Sequence, residues 1–162
     1  MTTLLTTYME MTAPPARAPL SGSLADARIE RETLAPADYL DIWRSVGEPL
    51  LWDGRLGMSP RTLHGFLTAP TTHLYILRSK DSPIGLCEFD CSSEADVELT
   101  HFGLIPQAQG RRLGPYLLDY ALRRIWALPT RRVWLHTDSE DHPKAIATYQ
   151  RAGFAIYKRC IE

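Results

Sequence analysis

The order of apolar and polar positions along the chain predicts a mixture of strands and helices. Strand-like runs, rich in β-branched and aromatic residues and bounded by turn formers, occupy residues 27–32, 73–78, 84–90, 97–104, 132–136 and 154–161. The second and third runs are separated by a polar turn of hairpin length, so we expect them to pair antiparallel. The first run is short and mixed, which is typical of an edge strand.

Apolar residues at helical spacing predict four helices among these strands. The helices are expected over residues 36–47, 59–67, 113–128 and 143–152. Proline or a serine cap stands at the start of three of them, and glycine ends the first and the last. Because the third helix lies between two strands, the order implies a parallel strand-helix-strand crossover.

Composition limits the domain organisation and the class of ligand. We expect a single domain over residues 28–162, preceded by a flexible tail over residues 1–27, which is rich in Thr, Ala, Ser and Pro. The formal net charge of -1 gives no electrostatic case for nucleic acid as a partner. Residues 1–27 have no apolar run of the signal-peptide kind, and we do not expect a membrane partner. Three cysteines without disulfide-like spacing favour a reducing, cytoplasmic location.

A glycine-bearing loop before the third helix is the main candidate ligand site. It reads Gln109-Gly-Arg-Arg-Leu-Gly114 and is followed by Pro115, which is tolerated only in the first turn of a helix. The helix should therefore start near Arg112, leaving the N–H groups of Arg112, Leu113 and Gly114 free to bind an anion. A plain tight turn is the alternative interpretation of the same residues.

Two motifs in this order resemble the GNAT superfamily of N-acetyltransferases. The pyrophosphate loop of that family, Gln/Arg-x-x-Gly-x-Gly/Ala, is matched by Gln109, Leu113 and Gly114, and its later Tyr-x-x-x-Gly-Phe pattern stands as Tyr149 to Phe154. The resemblance covers roughly residues 27–162. Two residues depart from it, because Arg112 stands where the first loop glycine is usual and His142 where many members have asparagine.

The resemblance implies an α/β (α+β) fold with a mixed, mostly antiparallel sheet of about six to seven strands and about four flanking helices. It implies an N-acetyltransferase that moves an acetyl group from acetyl-CoA to a primary amine of a small molecule or peptide by direct attack in a ternary complex. A non-catalytic acyl-CoA-binding or regulatory module is the alternative, and a homodimer is possible. The implied cofactor-binding residues are Leu104, Ile105, Gln109, Gly110, Arg111, Arg112, Leu113, Gly114, His142 and Tyr149.

Leu104 and Ile105 are implied as backbone donors to an oxyanion, and Arg111 and Arg112 as partners of the pyrophosphate. Two arginines at an exposed helix end can equally be solvated without a ligand. His142 stands where the family contacts the pantetheine arm. Because it lies between Asp141 and Pro143, it either acts as an acid or base in place of Glu98 or only sets the start of the helix.

The catalytic candidates are Glu98 and Tyr149. Glu98 occupies the strand position at which several GNAT enzymes carry a general base, although a solvent-facing carboxylate is the simpler reading. Tyr149 lies on the inner stripe of its helix, and its motif position implies that it gives a proton to the leaving thiolate, unless it is only a packed core tyrosine. Strand alternation places Thr100 and Phe102 on the face of Glu98, and His101 on the other. His101 would join Glu98 only if a bulge interrupted this strand, as is known near this point in the family that the chain resembles.

Two further expectations concern the acceptor and metals. Trp52 and Arg55, in an aperiodic segment of the region that forms the acceptor pocket in the family, are the candidate substrate-binding residues. No metal site is predicted, because Cys87 and Cys91 on an extended strand would lie roughly 13 Å apart, too far to share an ion.

Overall fold

The computed structural model describes residues 3–22 and 24–161 of the chain. Its strands are β1 (Leu5–Met11), β2 (Ala27–Arg31), β3 (Thr72–Ser79), β4 (Ser82–Asp90), β5 (Asp96–Leu104), β6 (Arg132–Asp138) and β7 (Ala155–Ile161). Its α-helices are α1 (Pro36–Gly47), α2 (Pro60–Thr68), α3 (Leu113–Trp126) and α4 (Ala145–Ala152). The predicted elements are all present, with small differences at their ends.

The strands form a mixed sheet in the order β2-β3-β4-β5-β6-β1-β7. Neighbouring strands are antiparallel except β5 and β6, which are parallel and connected through α3. Within the described residues the chain thus has seven strands and four α-helices, which confirms the predicted fold class.

Strand β1 corrects the expectation of a flexible tail over residues 1–27. It lies between β6 and β7 and pairs antiparallel with both, with Met9 completely buried. The segment after β1 is attached to α3, because the backbone N–H of Leu20 donates to the Asp119 carboxylate over 3.0 Å. Threonine and methionine fill this half-buried strand without the large aliphatic run that marks a core segment. The domain therefore includes residues 5–11; residues 1, 2 and 23 lie outside the described part.

Helices cover both faces of the sheet because each presents one apolar stripe. The cluster under α1 and α2 contains Tyr39, Ile42, Trp43, Val46, Leu63 and Leu67. The cluster under α3 and α4 contains Leu117, Leu118, Ala121, Leu122, Ile125 and Tyr149. Local signals agree with this packing: the Ser59 hydroxyl accepts a 3.1 Å hydrogen bond from the Thr62 N–H, and Pro60 takes the first helical position of α2.

The sheet splits between β5 and β6. Their parallel pairing covers only Asp96 to Glu98 opposite Arg132 to Trp134, and no pairing between them is found beyond that point in the described residues. The last part of β5 therefore has a backbone edge that faces an opening rather than a neighbouring strand.

A bulge interrupts β5 just before this opening. Glu88 of β4 is opposite His101, whereas the next residue, Phe89, is opposite Leu99, so Thr100 is the extra residue. The simple alternation predicted for this strand is therefore wrong after Leu99. His101 turns to the face of α1, and Phe102 packs with the cluster on the opposite face.

Candidate active site

A cavity of about 340 Å³ lies between the end of β5, the loop before α3 and the start of α4. We call it the loop cavity. Most of the predicted cofactor-binding residues line this cavity. They are Leu104, Gln109, Gly110, Arg112, Leu113, Gly114, His142 and Tyr149. Arg111 and Ile105 are not among its lining residues.

The loop places the beginning of α3 at the wall of this cavity. Gly110 and Arg112 both have positive φ, 84° and 60°, and α3 starts at the next residue, Leu113, as predicted. No side chain caps this helix, and Pro115 has no N–H. The first N–H groups of α3 therefore lack intrahelical partners, which makes this wall suitable for a negatively charged group.

The two predicted oxyanion donors differ in the structure. The N–H of Ile105 donates to the carbonyl of Ile84 over 2.9 Å, so it is not free and the prediction for Ile105 is wrong in this respect. Successive N–H groups of an antiparallel strand point alternately toward and away from the partner strand. The N–H of Leu104 therefore points away from β4, toward the side on which β5 and β6 have separated.

His142 organises the start of α4. Its Nδ1 accepts a 3.1 Å hydrogen bond from the N–H of Lys144, and its own N–H donates to Asp141 Oδ1 over 2.8 Å. The helix begins at Ala145, two residues later than predicted, because Pro143 and Lys144 belong to this turn. His142 thus has the helix-start role and also lines the loop cavity.

Tyr149 is buried where two cavities meet. Its ring centroid lies 5.9 Å from that of Phe102 and 5.8 Å from that of Phe154, and the residue is 4% exposed. Burial, helped by the negative charge of Asp141, raises the pKa of the Tyr149 hydroxyl well above its ordinary value. The phenol is therefore a proton donor at neutral pH. Tyr149 lines both the loop cavity and a second cavity.

The second cavity, of about 200 Å³, lies under the segment after α1, and we call it the tryptophan cavity. The two cavities share Leu50, Phe102, Asp141 and Tyr149. Four carboxylates line the tryptophan cavity, from Asp53, Asp138, Glu140 and Asp141, together with the rings of Trp52, His101 and His136. A charge of this sign favours a cationic occupant.

Arg55, predicted to bind substrate beside Trp52, does not line the tryptophan cavity. Its Nη2 donates to Glu88 Oε2 over 2.9 Å, its Nε lies 3.4 Å from the Tyr39 hydroxyl, and its guanidinium stacks 4.2 Å over the Phe66 ring. The side chain is engaged inside the protein by these contacts, and a substrate-binding role for Arg55 stays a prediction that they do not support.

Glu88, which the sequence analysis did not single out, is a buried carboxylate with four donors. It accepts hydrogen bonds from the Tyr39 hydroxyl, from Arg55, from the Thr100 hydroxyl at 2.5 Å and from His101 Nδ1 at 3.0 Å. Burial alone would raise its pKa, but the hydrogen bond and charge of His101, the charge of Arg55 and the Thr100 hydroxyl together lower the pKa of Glu88 to about 2. A lone glutamate inside an apolar strand was the available signal, because a buried carboxylate needs partners.

Glu98, the predicted base, belongs to a looser arrangement. Its Oε2 lies 3.9 Å from His136 Nε2, and it is not among the residues that line the tryptophan cavity, although His136 is. Burial raises the pKa of Glu98, and the nearby His136 opposes this shift. We call Glu98–His136 the outer pair and Glu88–His101 the inner pair.

This fold, with two cavities that meet at a split sheet, is that of an acyltransferase domain. The model of the acetyltransferase (GNAT) family matches residues 37–154. The chain therefore belongs to the GNAT family, which confirms the resemblance inferred from its motifs and supports acyl transfer as its class of activity. A comparison with curated proteins gave no match.

Solved structures with the same fold include a protein from Novosphingobium aromaticivorans assigned to the GNAT family, with a TM-score of 0.68 and 16% identity over 99% of this chain and 63% of that chain. A GCN5-related N-acetyltransferase from Sphaerobacter thermophilus has a TM-score of 0.68 and 17% identity over 98% of this chain and 50% of that chain. An aminoglycoside acetyltransferase from an uncultured soil metagenomic sample has a TM-score of 0.64 and 13% identity over 78% of this chain and 87% of that chain.

Identities this low support the fold and not a particular substrate. The chain spans between half and two thirds of the length of the first two structures. In the described part of the chain, none of the helices is long and apolar enough to cross a membrane.

Proposed function

We propose that the protein is an N-acetyltransferase that uses acetyl-CoA as co-substrate and acetylates a primary amine of a small molecule or peptide. The observation that carries the proposal is the junction of the loop cavity and the tryptophan cavity at Tyr149. Two ligands that enter from the two sides would meet beside a buried proton donor.

The loop cavity suits the donor. A pyrophosphate at the N-terminus of α3 would accept hydrogen bonds from the unpaired N–H groups of Leu113 and Gly114. A Cβ at Gly114 would lie in ordinary contact with Phe102, at 3.7 Å, and with Leu104, at 3.9 Å, both of which line the same cavity, so the glycine leaves this part of the wall open. Arg112 and Arg111 would add positive charge, and His142 would border the pantetheine arm.

The tryptophan cavity suits an amine acceptor. Amines are protonated at neutral pH, and the four carboxylates that line this cavity would attract the cation. The ring of Trp52 offers a face for the apolar part of the acceptor or for its charge. The family match makes acyl transfer the reaction that these two ligands would undergo.

The chemistry assigns one role to each side of the junction. The amine nitrogen attacks the thioester carbonyl, and the N–H of Leu104 would stabilise the oxyanion. The C–S bond then breaks, and Tyr149 would give its proton to the departing sulfur. A base must also take a proton from the amine, and Glu98, the candidate from the sequence, would act through water or through His136.

Incubation with acetyl-CoA and a panel of arylalkylamines, polyamines, amino sugars and lysyl peptides tests the proposal. We expect release of free thiol with at least one amine, and a loss of turnover in Tyr149→Phe without weaker acetyl-CoA binding. Acetyl-CoA should also raise the melting temperature. Stabilisation without turnover across the panel would favour the non-catalytic acyl-CoA-binding module, and the absence of both would contradict either function.

Two other expectations stay predictions. Cell fractionation would test the cytoplasmic location, and analytical ultracentrifugation with and without acetyl-CoA would test for a homodimer.

A further inference from the structure

We propose that His101, held by the buried carboxylate of Glu88, takes the proton from the amine. This inference rests on the proposed function and deepens it, because it replaces the outer pair with the inner pair as the proton acceptor. It starts from the bulge at Thr100, which turns His101 toward Glu88 and the tryptophan cavity.

The inner pair fixes the orientation of the imidazole. His101 Nδ1 lies 3.0 Å from Glu88 Oε2, and a carboxylate can only accept, so a neutral ring carries its proton on Nδ1. Nε2 then has the free lone pair. Trp43 and Trp52 border the ring, with centroids 5.7 Å and 4.9 Å from it, which limits its rotation.

The geometry is that of an oriented general base. A base must lie within reach of its proton and be held by a third group, and His101 lines the cavity while Glu88 holds it from behind. The side chain of His101 is 18% exposed and that of Glu88 is 1% exposed. The exposed fraction of His101 is thus directed at the cavity, and Glu88 is a positioning residue that does not touch the acceptor.

Charged and titratable groups face His101 from each element that packs around it. They are Glu88 on β4, Tyr39 on α1, Arg55 in the segment after α1, Asp53 in the same segment, Glu98 on β5, His136 and Asp138 on β6, and Glu140, Asp141 and Tyr149 toward α4. Burial raises the pKa of Glu88, but the hydrogen bond and charge of His101, the charge of Arg55 and the Thr100 hydroxyl together lower it, so Glu88 stays an acceptor toward His101 across the neutral range.

The proton transfers balance. The bound ammonium first loses one proton to solvent, because only the neutral amine has a lone pair with which to attack. As the N–C bond forms, one N–H proton of this neutral amine passes to His101 Nε2. As the C–S bond breaks, sulfur receives the proton of Tyr149. Solvent then carries the proton from His101 to the phenolate of Tyr149, so the products are the amide and free coenzyme A and the protein is restored.

Kinetics of His101→Gln test the inference. Glutamine keeps a donor toward Glu88 but cannot serve as a base near neutral pH. With acetyl-CoA and the fastest amine of the panel, we expect kcat to fall by about 100-fold or more. The acidic limb of the kcat profile against pH should disappear, while the affinity for acetyl-CoA stays unchanged. The matched control is His64→Gln on the exposed side of α2, which should behave as wild type.

Glu88→Gln gives the second arm. It should lower kcat by about tenfold or more, because the amide no longer fixes the imidazole as a carboxylate does, and it should shift the acidic limb rather than abolish it. A purely structural role would lower the melting temperature of both variants and leave the pH profile of the remaining activity unchanged. That result would overturn the proposal.

A spectroscopic measurement does not depend on the variants. Long-range ¹H–¹⁵N correlation spectra of the wild-type protein at alkaline pH should show His101 as the Nδ1–H tautomer. Detection of the Nε2–H tautomer would overturn the inference. So would turnover by His101→Gln at the wild-type rate, or a loss in Glu98→Gln larger than that in His101→Gln. Absence of turnover in wild type would instead contradict the proposed function, and this inference with it.

Discussion

The inner and outer pairs consist of the same two residue types and lie at the same end of the sheet, yet their surroundings give them opposite properties. The inner pair has a Glu88–His101 distance of 3.0 Å and side-chain exposures of 1% and 18%. The outer pair has a Glu98–His136 distance of 3.9 Å and exposures of 25% and 53%. Burial raises the pKa of both carboxyls, but the pKa of Glu88 falls to about 2 and that of Glu98 stays raised.

The difference shows that donors and nearby positive charges outweigh burial for Glu88, whereas burial prevails for Glu98. Glu88 is the more buried of the two, but its four donors more than offset the cost of desolvation. For Glu98, the charges of His136, whose Nε2 lies 3.9 Å away, and of His101 do not offset the effect of burial. The inner pair is therefore held in a fixed geometry around an ionised Glu88, whereas the outer pair is wider and more exposed.

The largest expected effect comes from removing the guanidinium of Arg55, which forms an ion pair with Glu88 of the inner pair. Arg55→Met keeps the length of the side chain but leaves Glu88 without its guanidinium. Removal of one partner of a buried ion pair costs about 3 to 5 kcal/mol, and the three remaining donors favour the lower value. Urea denaturation should show this loss in the free energy of unfolding.

The matched control is Arg28→Met. Arg28 pairs with Asp81 at the surface, with side-chain exposures of 47% and 82%, so its loss should leave the unfolding midpoint unchanged. Equal losses in the two variants would contradict the special status of the inner pair.

The second prediction uses the opposite pKa shifts. The pKa of Glu88 is lowered from 4.5 to about 2, so the stability that it contributes is fully present above its unfolded pKa and is lost as the pH falls through about 2. The shift corresponds to a contribution on the order of 3 kcal/mol. Chemical denaturation from neutral to acidic pH should show this loss in wild type, with a smaller acid dependence in Glu88→Gln.

Glu98 should give the opposite sign. Its raised pKa means that the protonated carboxyl favours the folded state, so its contribution is present at low pH and is lost as the pH rises through the folded pKa. We therefore compare the free energy of unfolding of Glu98→Gln with that of wild type at each pH. The variant should gain slightly on wild type as the pH rises from acidic to neutral. If the stability contributions of Glu88 and Glu98 changed in the same direction with pH, the proposed difference between the two pairs would be contradicted.

The sequence predicted most of the fold because the relevant signals are local. Ser59 and Pro60 mark the start of α2, and Gly153, with φ 118°, ends α4 in the left-handed conformation that glycine favours. Strand β1 was missed because its partners, β6 and β7, lie more than 120 residues away, and a short threonine-rich strand has no strong pattern of its own.

The loop cavity could be predicted and the inner pair could not, for the same reason. The loop before α3 is one continuous stretch in which Gly110 and Pro115 determine the backbone. The inner pair brings together β4, β5 and the segment after α1, and it depends on the bulge at Thr100, which reverses the side of the strand on which His101 lies. Strict alternation does not show such a shift, and the bulge that the family resemblance offers would place His101 beside Glu98 and not beside Glu88.

The third prediction compares the coupling within each pair. A double-mutant cycle with Glu88→Gln and His101→Gln should give a coupling energy of about 1.5 to 3 kcal/mol, because a buried carboxylate accepts this hydrogen bond. The corresponding cycle with Glu98→Gln and His136→Gln should give less than about 1 kcal/mol, because that pair is wider and more exposed. Coupling energies of similar size would show that distance and burial do not distinguish the pairs.

The smallest effect is expected at Arg112, which belongs to neither pair. Its φ of 60° costs a non-glycine residue about 1 kcal/mol, so Arg112→Gly relieves strain. The greater freedom of glycine in the unfolded chain offsets this by about 0.5 to 1 kcal/mol, which leaves stability nearly unchanged. Acetyl-CoA affinity, measured by calorimetry, should be unchanged or tighter, and the pH dependence of kcat should not move.

Arg112→Ala separates the two contributions of this residue. Alanine removes the cation but keeps the strained backbone, so it should bind acetyl-CoA no better than Arg112→Gly. If glycine and alanine both weakened binding by about tenfold or more, the loss of about 1.4 kcal/mol would show that the guanidinium itself contacts the donor. The loop cavity would then depend on a side-chain charge, as the inner pair does, instead of on backbone N–H groups at the start of α3.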